Sequence, residues 1–176
     1  MNLNYIIIDD FLDNPDIVRE SVISGDIPFD MTQEGYYPGV RCNPIYVDNG
    51  YREMIANKIA QVFPYKFKFN DTNSHCFAFQ LCLEGVETWV HKDIEEWAGI
   101  LYLTPDANLE SGTIMFDNNL AKTESPVNVT NIVHNIYNRM ILFRGGVIPH
   151  RSMIPGFGDC LANGRLTQVF FFDIVK

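Results

Sequence analysis

The sequence lacks most features that assign a class at sight. No apolar run approaches the about twenty residues that a membrane-spanning helix needs. The opening MNLNYIIIDD has neither a basic leader nor an extended apolar stretch, so no secretory signal and no membrane partner are expected. Basic charge is scarce: 13 Lys and Arg stand against 22 Asp and Glu, the net charge is −9, and no basic stripe forms. That argues against nucleic acid as a partner. Cys42, Cys76, Cys82 and Cys160 include no CxxC pair and match no zinc module. Cys76 and Cys82 fall in apolar runs, which reads as buried, reduced thiols in an intracellular, cytoplasmic protein. The N-x-T sequons at Asn70 and Asn128 mean little without a secretory signal.

Apolar and aromatic residues are plentiful. Of 176 residues 47% are hydrophobic, and thirteen Phe, eight Tyr and two Trp are many for this length. Such a chain can bury a real core, and its aromatics favour strands. Residues 4–8 read as a strand. Asp13-Asn14-Pro15-Asp16 reads as a helix start, with Asn14 or Asp13 as cap and Pro15 in the first turn. Residues 34–44 are loop-like. A second helix is expected over 49–62, with Tyr51, Ile55, Ile59 and Val62 at helical spacing and Pro64 closing it. From residue 65 the chain changes character: 65–69, 75–83, 86–91, 98–104, 113–116, 127–137, 139–143, 146–150 and 165–175 all look strand-like. No repeat, low-complexity segment or linker interrupts it. One domain over 1–176 is expected, a helix-and-strand buttress (1–64) on a β core (65–176) of sandwich, barrel or jelly-roll type.

Chemistry concentrates in a few places. In Trp89-Val90-His91-Lys92-Asp93, the period-two geometry of extended chain turns His91 and Asp93 to one face. His150 follows a Gly-Gly turn 57 residues after Asp93, so only the fold can bring the three together. A jelly roll does so, because distant strands run side by side in it. Two imidazoles and one carboxylate on one face of an octahedron bind Fe(II) and leave three positions open. Further on, Gly164-Arg165-Leu166-Thr167-Gln168-Val169 opens a strongly apolar strand. Alternation puts Arg165, Thr167 and Val169 on one face. A guanidinium on the inner face of such a strand calls for an anionic partner, which a ligand carboxylate would supply through a bidentate fork.

Taken together, these residues are similar to the Fe(II)/2-oxoglutarate-dependent oxygenases, in their prolyl hydroxylase-like branch, over most of residues 75–175. The lead-in Cys82-Leu83-Glu84-Gly85-Val86-Glu87-Thr88-Trp89-Val90-His91-Lys92-Asp93 matches that family at the glycine, the histidine and the aspartate, with Cys82 and Thr88 where it has tyrosines. Ala98–Thr104 resembles its strand ending in Tyr-Leu-Asn. Ser111-Gly112-Thr113-Ile114-Met115-Phe116 resembles the next, with Ser111 where a glycine is usual. Tyr37-Pro38-Gly39-Val40-Arg41 and Tyr137-Asn138-Arg139-Met140 are similar to a less characterised offshoot. The resemblance implies a double-stranded β-helix (jelly roll, cupin-like), mainly β with N-terminal helices. It implies that His91, Asp93 and His150 hold Fe(II), that Arg165 pairs with the far carboxylate of 2-oxoglutarate, and that Tyr102 reaches the same group, helped by Thr167. The implied activity is a dioxygenase using dioxygen to hydroxylate a peptide or small molecule, with succinate and CO2 as co-products.

Two other readings compete. A cupin-like metalloenzyme without a keto acid would use the same triad but leave Arg165 and Tyr102 without a partner. A non-catalytic jelly-roll binding or structural module would bind neither Fe(II) nor Mn(II). His75, His134 and Asp117 read as structural, and Trp89 and Trp97 as packing beside the metal motif. Arg151 is a second candidate for an anion contact. Residues 118–130 and 31–44 are candidate lids over the site.

Overall fold

The apolar stretch that opens at Arg165 becomes the spine of the fold. The computed structural model describes residues 3–25, 27–32, 36–70, 75–117 and 128–175. Along the chain run β1 (Tyr5–Ile8), α1 (Pro15–Ile23), β2 (Val40–Arg41), α2 (Asn49–Val62), β3 (Phe67–Phe69), β4 (Phe79–Cys82), β5 (Trp97–Tyr102), β6 (Thr113–Phe116), β7 (Val129–Val133), β8 (Met140–Phe143), β9 (His150–Ser152) and β10 (Arg165–Ile174). Short 3₁₀ turns occupy Pro44–Tyr46 and Leu109–Ser111. The large antiparallel sheet has the order β1-β8-β5-β10-β4-β2, with β3 pairing the far end of β10, and the small one the order β7-β6-β9.

Because β10 lies between β5 and β4 and is covered on both faces, its first eight residues are all buried. Leu166, Gln168, Phe170 and Phe172 form the outer face. There α2 packs, with Tyr51 Oη donating to Gln168 Oε1 at 2.6 Å and Phe63 edge-on to Phe172. Arg165, Thr167, Val169 and Phe171 form the inner face, which borders a cavity shared with the small sheet. The fold is thus mostly β, with two helices backing one sheet. No helix among the described residues is long and apolar enough to cross a membrane. Cys42, Cys76 and Cys82 are buried free thiols, and Cys160 is an exposed one.

Helix α2 matches its expected bounds, and its N-terminus is held by Asp48, whose carboxylate accepts from Tyr51 N at 3.1 Å. In α1 Asn14 takes the cap position, but its side chain makes no capping bond. Four strand expectations shift, the expected 127–137 among them, which shortens to β7. Residues 86–91 form no strand: Val86 N turns back to Leu83 O, and only His91 forms a bridge, to His150. The segment 75–83 shortens to β4 because Phe77 adopts φ 72, a left-handed bend that breaks the pleat just before it. Residues 146–150 are mostly turn, with Val147 N and Ile148 N both donating to Arg144 O, so His150 begins its strand rather than ending one.

Tyr137-Asn138-Arg139 turns out to be scaffold. Tyr137 Oη donates to Asp16 Oδ1 at 2.6 Å, and the Arg139 fork grips Asp9 at 2.6 and 2.9 Å. Asn138 holds φ 63, a conformation Asn tolerates, while its side chain accepts from Leu12 N (2.8 Å) and donates to Leu12 O (2.9 Å). Asn138→Ala removes both buried bonds and strains the turn. It is expected to cost about 2–3 kcal/mol and to lower Tm by roughly 5–10 °C in a thermal melt. An unshifted melt would mean that this clasp contributes nothing.

Candidate metal centre and co-substrate cavity

His91 and His150 are locked together through the backbone. His91 N donates to His150 O at 3.0 Å and His150 N to His91 O at 2.9 Å, which brings the two rings to a centroid distance of 4.4 Å. Asp93 N donates to Gly145 O at 3.0 Å, which fixes the carboxylate under the same rings. His91 Nε2 lies 3.9 Å from Asp93 Oδ1, and His150 Nε2 lies 3.5 Å from Asp93 Oδ2. One potential ligand atom from each residue falls within 4.8 Å of the others, a group that could hold a metal ion.

The protonation pattern fits a cation. His91 Nδ1 faces Trp89 O at 3.1 Å and His150 Nδ1 faces Ile148 O at 2.9 Å. A carbonyl only accepts, so each Nδ1 carries the proton and each Nε2 presents a lone pair inward. Burial, the largest influence, holds the His150 pKa below the ordinary histidine range; Asp93 opposes it. A neutral His150 therefore aims a lone pair at a carboxylate, which is repulsive with nothing between them. Asp93 Oδ2 is buried and has no hydrogen-bond donor. Such an atom is costly unless a cation satisfies it. Gly145 makes room for it, since a Cβ there would collide with Asp93 Oδ2.

Beside the triad lies a cavity of about 270 Å³. Arg165 and Thr167 line it from β10, and His91, Asp93 and His150 line the same cavity. Arg165 is only 6% exposed; its Nε donates to Ser111 O at 2.9 Å, and its two terminal nitrogens have no protein acceptor among the described residues. Tyr102 is fully buried and does not itself line the cavity. Its hydroxyl meets Thr113 Oγ1 at 2.7 Å, and Thr113 does line it. Burial raises the pKa of Tyr102, only partly offset by the nearby Arg165, so the phenol stays neutral.

Of the other residues, His75 and Trp89 fall differently from their reading, and Trp97, His134, Asp117 and Arg151 fall in line with it. His75, read as structural, borders the cavity, as do Trp89 and Arg151. Trp97 is core, packed on Phe63 and Phe172, while His134 and Asp117 lie away from the site. Of the candidate lids, 118–127 lies outside the described residues, whereas Tyr36, Tyr37, Pro38 and Arg41 from 31–44 form one cavity wall. Nothing in the sequence marks Arg41 as a site residue, because a two-residue strand inside a Pro/Gly loop gives no periodicity to read. The same wall accounts for Cys82. It is fully buried, with Sγ 3.5 Å from Pro38 O, and a Cβ on Gly39 would approach that sulfur to 3.0 Å. No tyrosine ring fits there.

The architecture is a jelly roll of the kind found in 2-oxoglutarate oxygenases. Solved structures with this fold include a prolyl hydroxylase from Trichoplax adhaerens in complex with a hypoxia inducible factor peptide fragment (TM-score 0.63, 14% identity, 96% of this chain and 83% of that one). A Pseudomonas putida prolyl-4-hydroxylase (0.56, 16%, 98% and 94%) is another. So is HygX from Streptomyces hygroscopicus with nickel, 2-oxoglutarate and hygromycin B bound (0.59, 9%, 96% and 82%). No family model and no curated protein matches the sequence.

Proposed function

We propose that the protein is an Fe(II)- and 2-oxoglutarate-dependent dioxygenase that hydroxylates a C–H bond of a protein side chain or small molecule. The observation that carries this reading is one cavity holding both an unsatisfied carboxylate between two inward imidazole lone pairs and a buried guanidinium with a free fork. Structures of the same fold hold iron, nickel with 2-oxoglutarate, or nickel with 2-oxoglutarate and hygromycin B in HygX, and a peptide in a prolyl hydroxylase, which supports both the cofactors and either substrate kind.

In this reading His91 Nε2, His150 Nε2 and the Asp93 carboxylate hold Fe(II). The bound metal couples oxidative decarboxylation of 2-oxoglutarate to insertion of one oxygen atom of dioxygen into the substrate, with succinate and CO2 as co-products. The chain's own residues position and shield. Trp89 O and Ile148 O hold the two imidazoles in the metal-binding tautomer. The Arg165 fork takes the distal carboxylate of the co-substrate, with the Thr167 hydroxyl two residues along the same face and the Tyr102–Thr113 hydroxyl pair beside them. Phe143, edge-on to His150 at 4.6 Å, keeps bulk water from the metal side. A cupin-like enzyme without a keto acid would leave the Arg165 fork buried with no anion.

Anaerobic titration of the purified protein with Fe(II) and 2-oxoglutarate tests this. A weak visible charge-transfer band is expected, followed by succinate release on admitting air. Metal binding without any response to 2-oxoglutarate would favour the cupin-like alternative, and no metal binding at all would favour a non-catalytic module.

A further inference from the structure

We infer that Arg41 is the receptor for a carboxylate on the substrate itself, so that the cavity seats two anions: the co-substrate at Arg165 and a carboxylate-bearing substrate of amino-acid size at Arg41. This rests on the oxygenase reading, which assigns Arg165 to the co-substrate and the triad to the metal.

Arg41 is 7% exposed and lines the cavity. Its Nε and Nη2 both donate to one neutral acceptor, Gln80 Oε1, at 3.1 and 2.8 Å. Gln80 is held in turn by donating from Nε2 to Pro38 O at 2.7 Å. The guanidinium lies 4.1 Å above the Tyr37 ring, and no carboxylate comes within ion-pair distance of it among the described residues. Burial lowers its pKa to about 10, so it remains charged at neutral pH. A desolvated cation aimed by a neutral amide, stacked on one ring and without a counterion among the described residues, is built to receive an anion.

The register shows where Arg41 stands. Arg41 pairs with Gln80, Gln80 with Thr167, and Thr167 with Tyr102, so all four share one rung and one face of the large sheet. Arg41 thus stands two strands from β10, about 9.6 Å across the sheet from Thr167. The co-substrate has two ends, one for the metal and one for Arg165, which leaves Arg41 over. Arg41 lines the same cavity as His91, Asp93 and His150, the cavity in which a bond to be hydroxylated must lie. The cavity, at about 270 Å³, is small for a ligand pocket and admits a small acid or a chain terminus rather than a folded surface. Tyr36 and Ile94, 50% and 81% exposed, give its mouth apolar edges for the rest of the substrate.

The carboxylate can belong to a free amino acid or to a peptide C-terminus. Calorimetry on the Mn(II)- and 2-oxoglutarate-loaded protein, with free L-amino acids and short peptides each paired with its C-terminal amide, tests the inference. At least one acid is expected to bind tenfold or more tighter than its amide, the loss that one charge-assisted pair entails. Single amino acids against peptides separate the two sources. Arg41→Gln should erase the acid–amide difference and weaken 2-oxoglutarate far less than Arg165→Ala does, while Arg41→Lys should recover part of the preference. The acid–amide comparison on the unaltered chain decides even if Arg41→Gln folds poorly. The inference is overturned if no acid is preferred over its amide at millimolar concentration. It is equally overturned if Arg41→Gln weakens 2-oxoglutarate as much as Arg165→Ala, which would make Arg41 part of the co-substrate seat. Failure of the unaltered, metal-loaded protein to bind 2-oxoglutarate sinks the oxygenase reading instead, and the same acid–amide pairs, run with Mn(II) alone, then decide Arg41 separately.

Discussion

His150→Ala is expected to abolish divalent-metal binding and, with it, all 2-oxoglutarate turnover. The side chain supplies one of three converging ligand atoms, and the other two cannot compensate, because their backbones are fixed. His91 is tied by the paired bonds to residue 150, which survive the substitution, and Asp93 by its amide bond to Gly145 O. Two ligands would remain in place, with a gap where the buried imidazole stood. Loss of a supporting contact around a metal typically weakens binding about 10–100-fold, and loss of a ligand should exceed that. Gly145→Ala makes a sharper companion. It keeps all three ligands, but its methyl collides with Asp93 Oδ2, so metal affinity should fall into that 10–100-fold range with the fold intact. Mn(II) binding followed by electron paramagnetic resonance, with circular dichroism as the folding control, reads both. Near-stoichiometric Mn(II) on His150→Ala at the concentration that saturates the unaltered protein would remove the metal centre from this cavity.

Much of this was legible in the sequence, for reasons that differ from place to place. Helix α2 could be read because Tyr51, Ile55, Ile59 and Val62 stand at helical spacing and Pro64 closes the run; its Asp48 cap shows only in the structure. Strand β10 could be read because its first eight residues, buried on two faces, include the apolar run Val169–Phe172 beside Leu166. The convergence of His91 and Asp93 was expected from strand periodicity, yet 86–91 is not a strand. Their shared direction comes from two separate long-range contacts, one to His150 and one to Gly145. No local pattern encodes such contacts. The two segments tied to the offshoot, Tyr37–Arg41 and Tyr137–Met140, look alike as aromatic-and-arginine loops but do opposite things. The second clasps the N-terminal segment through Asn138 and Arg139, and the first forms a wall of the cavity. Only tertiary pairing of β2 with β4 separates the two roles. Arg165 could be read because an arginine heading an apolar strand conflicts with its surroundings. Arg41 raises no such conflict in its loop, and its isolation becomes visible only once Gln80 and Tyr37 are seen as its partners.

Arg165→Ala should leave metal binding intact and weaken 2-oxoglutarate about ten- to hundredfold. The guanidinium is anchored by Nε to Ser111 O at the head of β10, opposite Cys82, so its terminal nitrogens are held in place before any ligand arrives. A charge-assisted pair of this kind contributes ~1.5–3 kcal/mol net, and ~1.4 kcal/mol is one decade of affinity. Anchoring also predicts how a milder change behaves. Arg165→Lys keeps the charge but loses both the fork and the bond to Ser111 O, so it should restore only part of the affinity. At the centre Arg165 is not a ligand, so Mn(II) affinity should change little in either variant, unlike His150→Ala. The two arginines then form an internal control. If Arg165 seats the co-substrate and Arg41 the substrate, the double variant should weaken 2-oxoglutarate no more than Arg165→Ala alone. A double variant much worse than that would place both guanidinia on one dicarboxylate. Full 2-oxoglutarate affinity in Arg165→Ala, with a normal charge-transfer band, would show that this strand does not hold the keto acid.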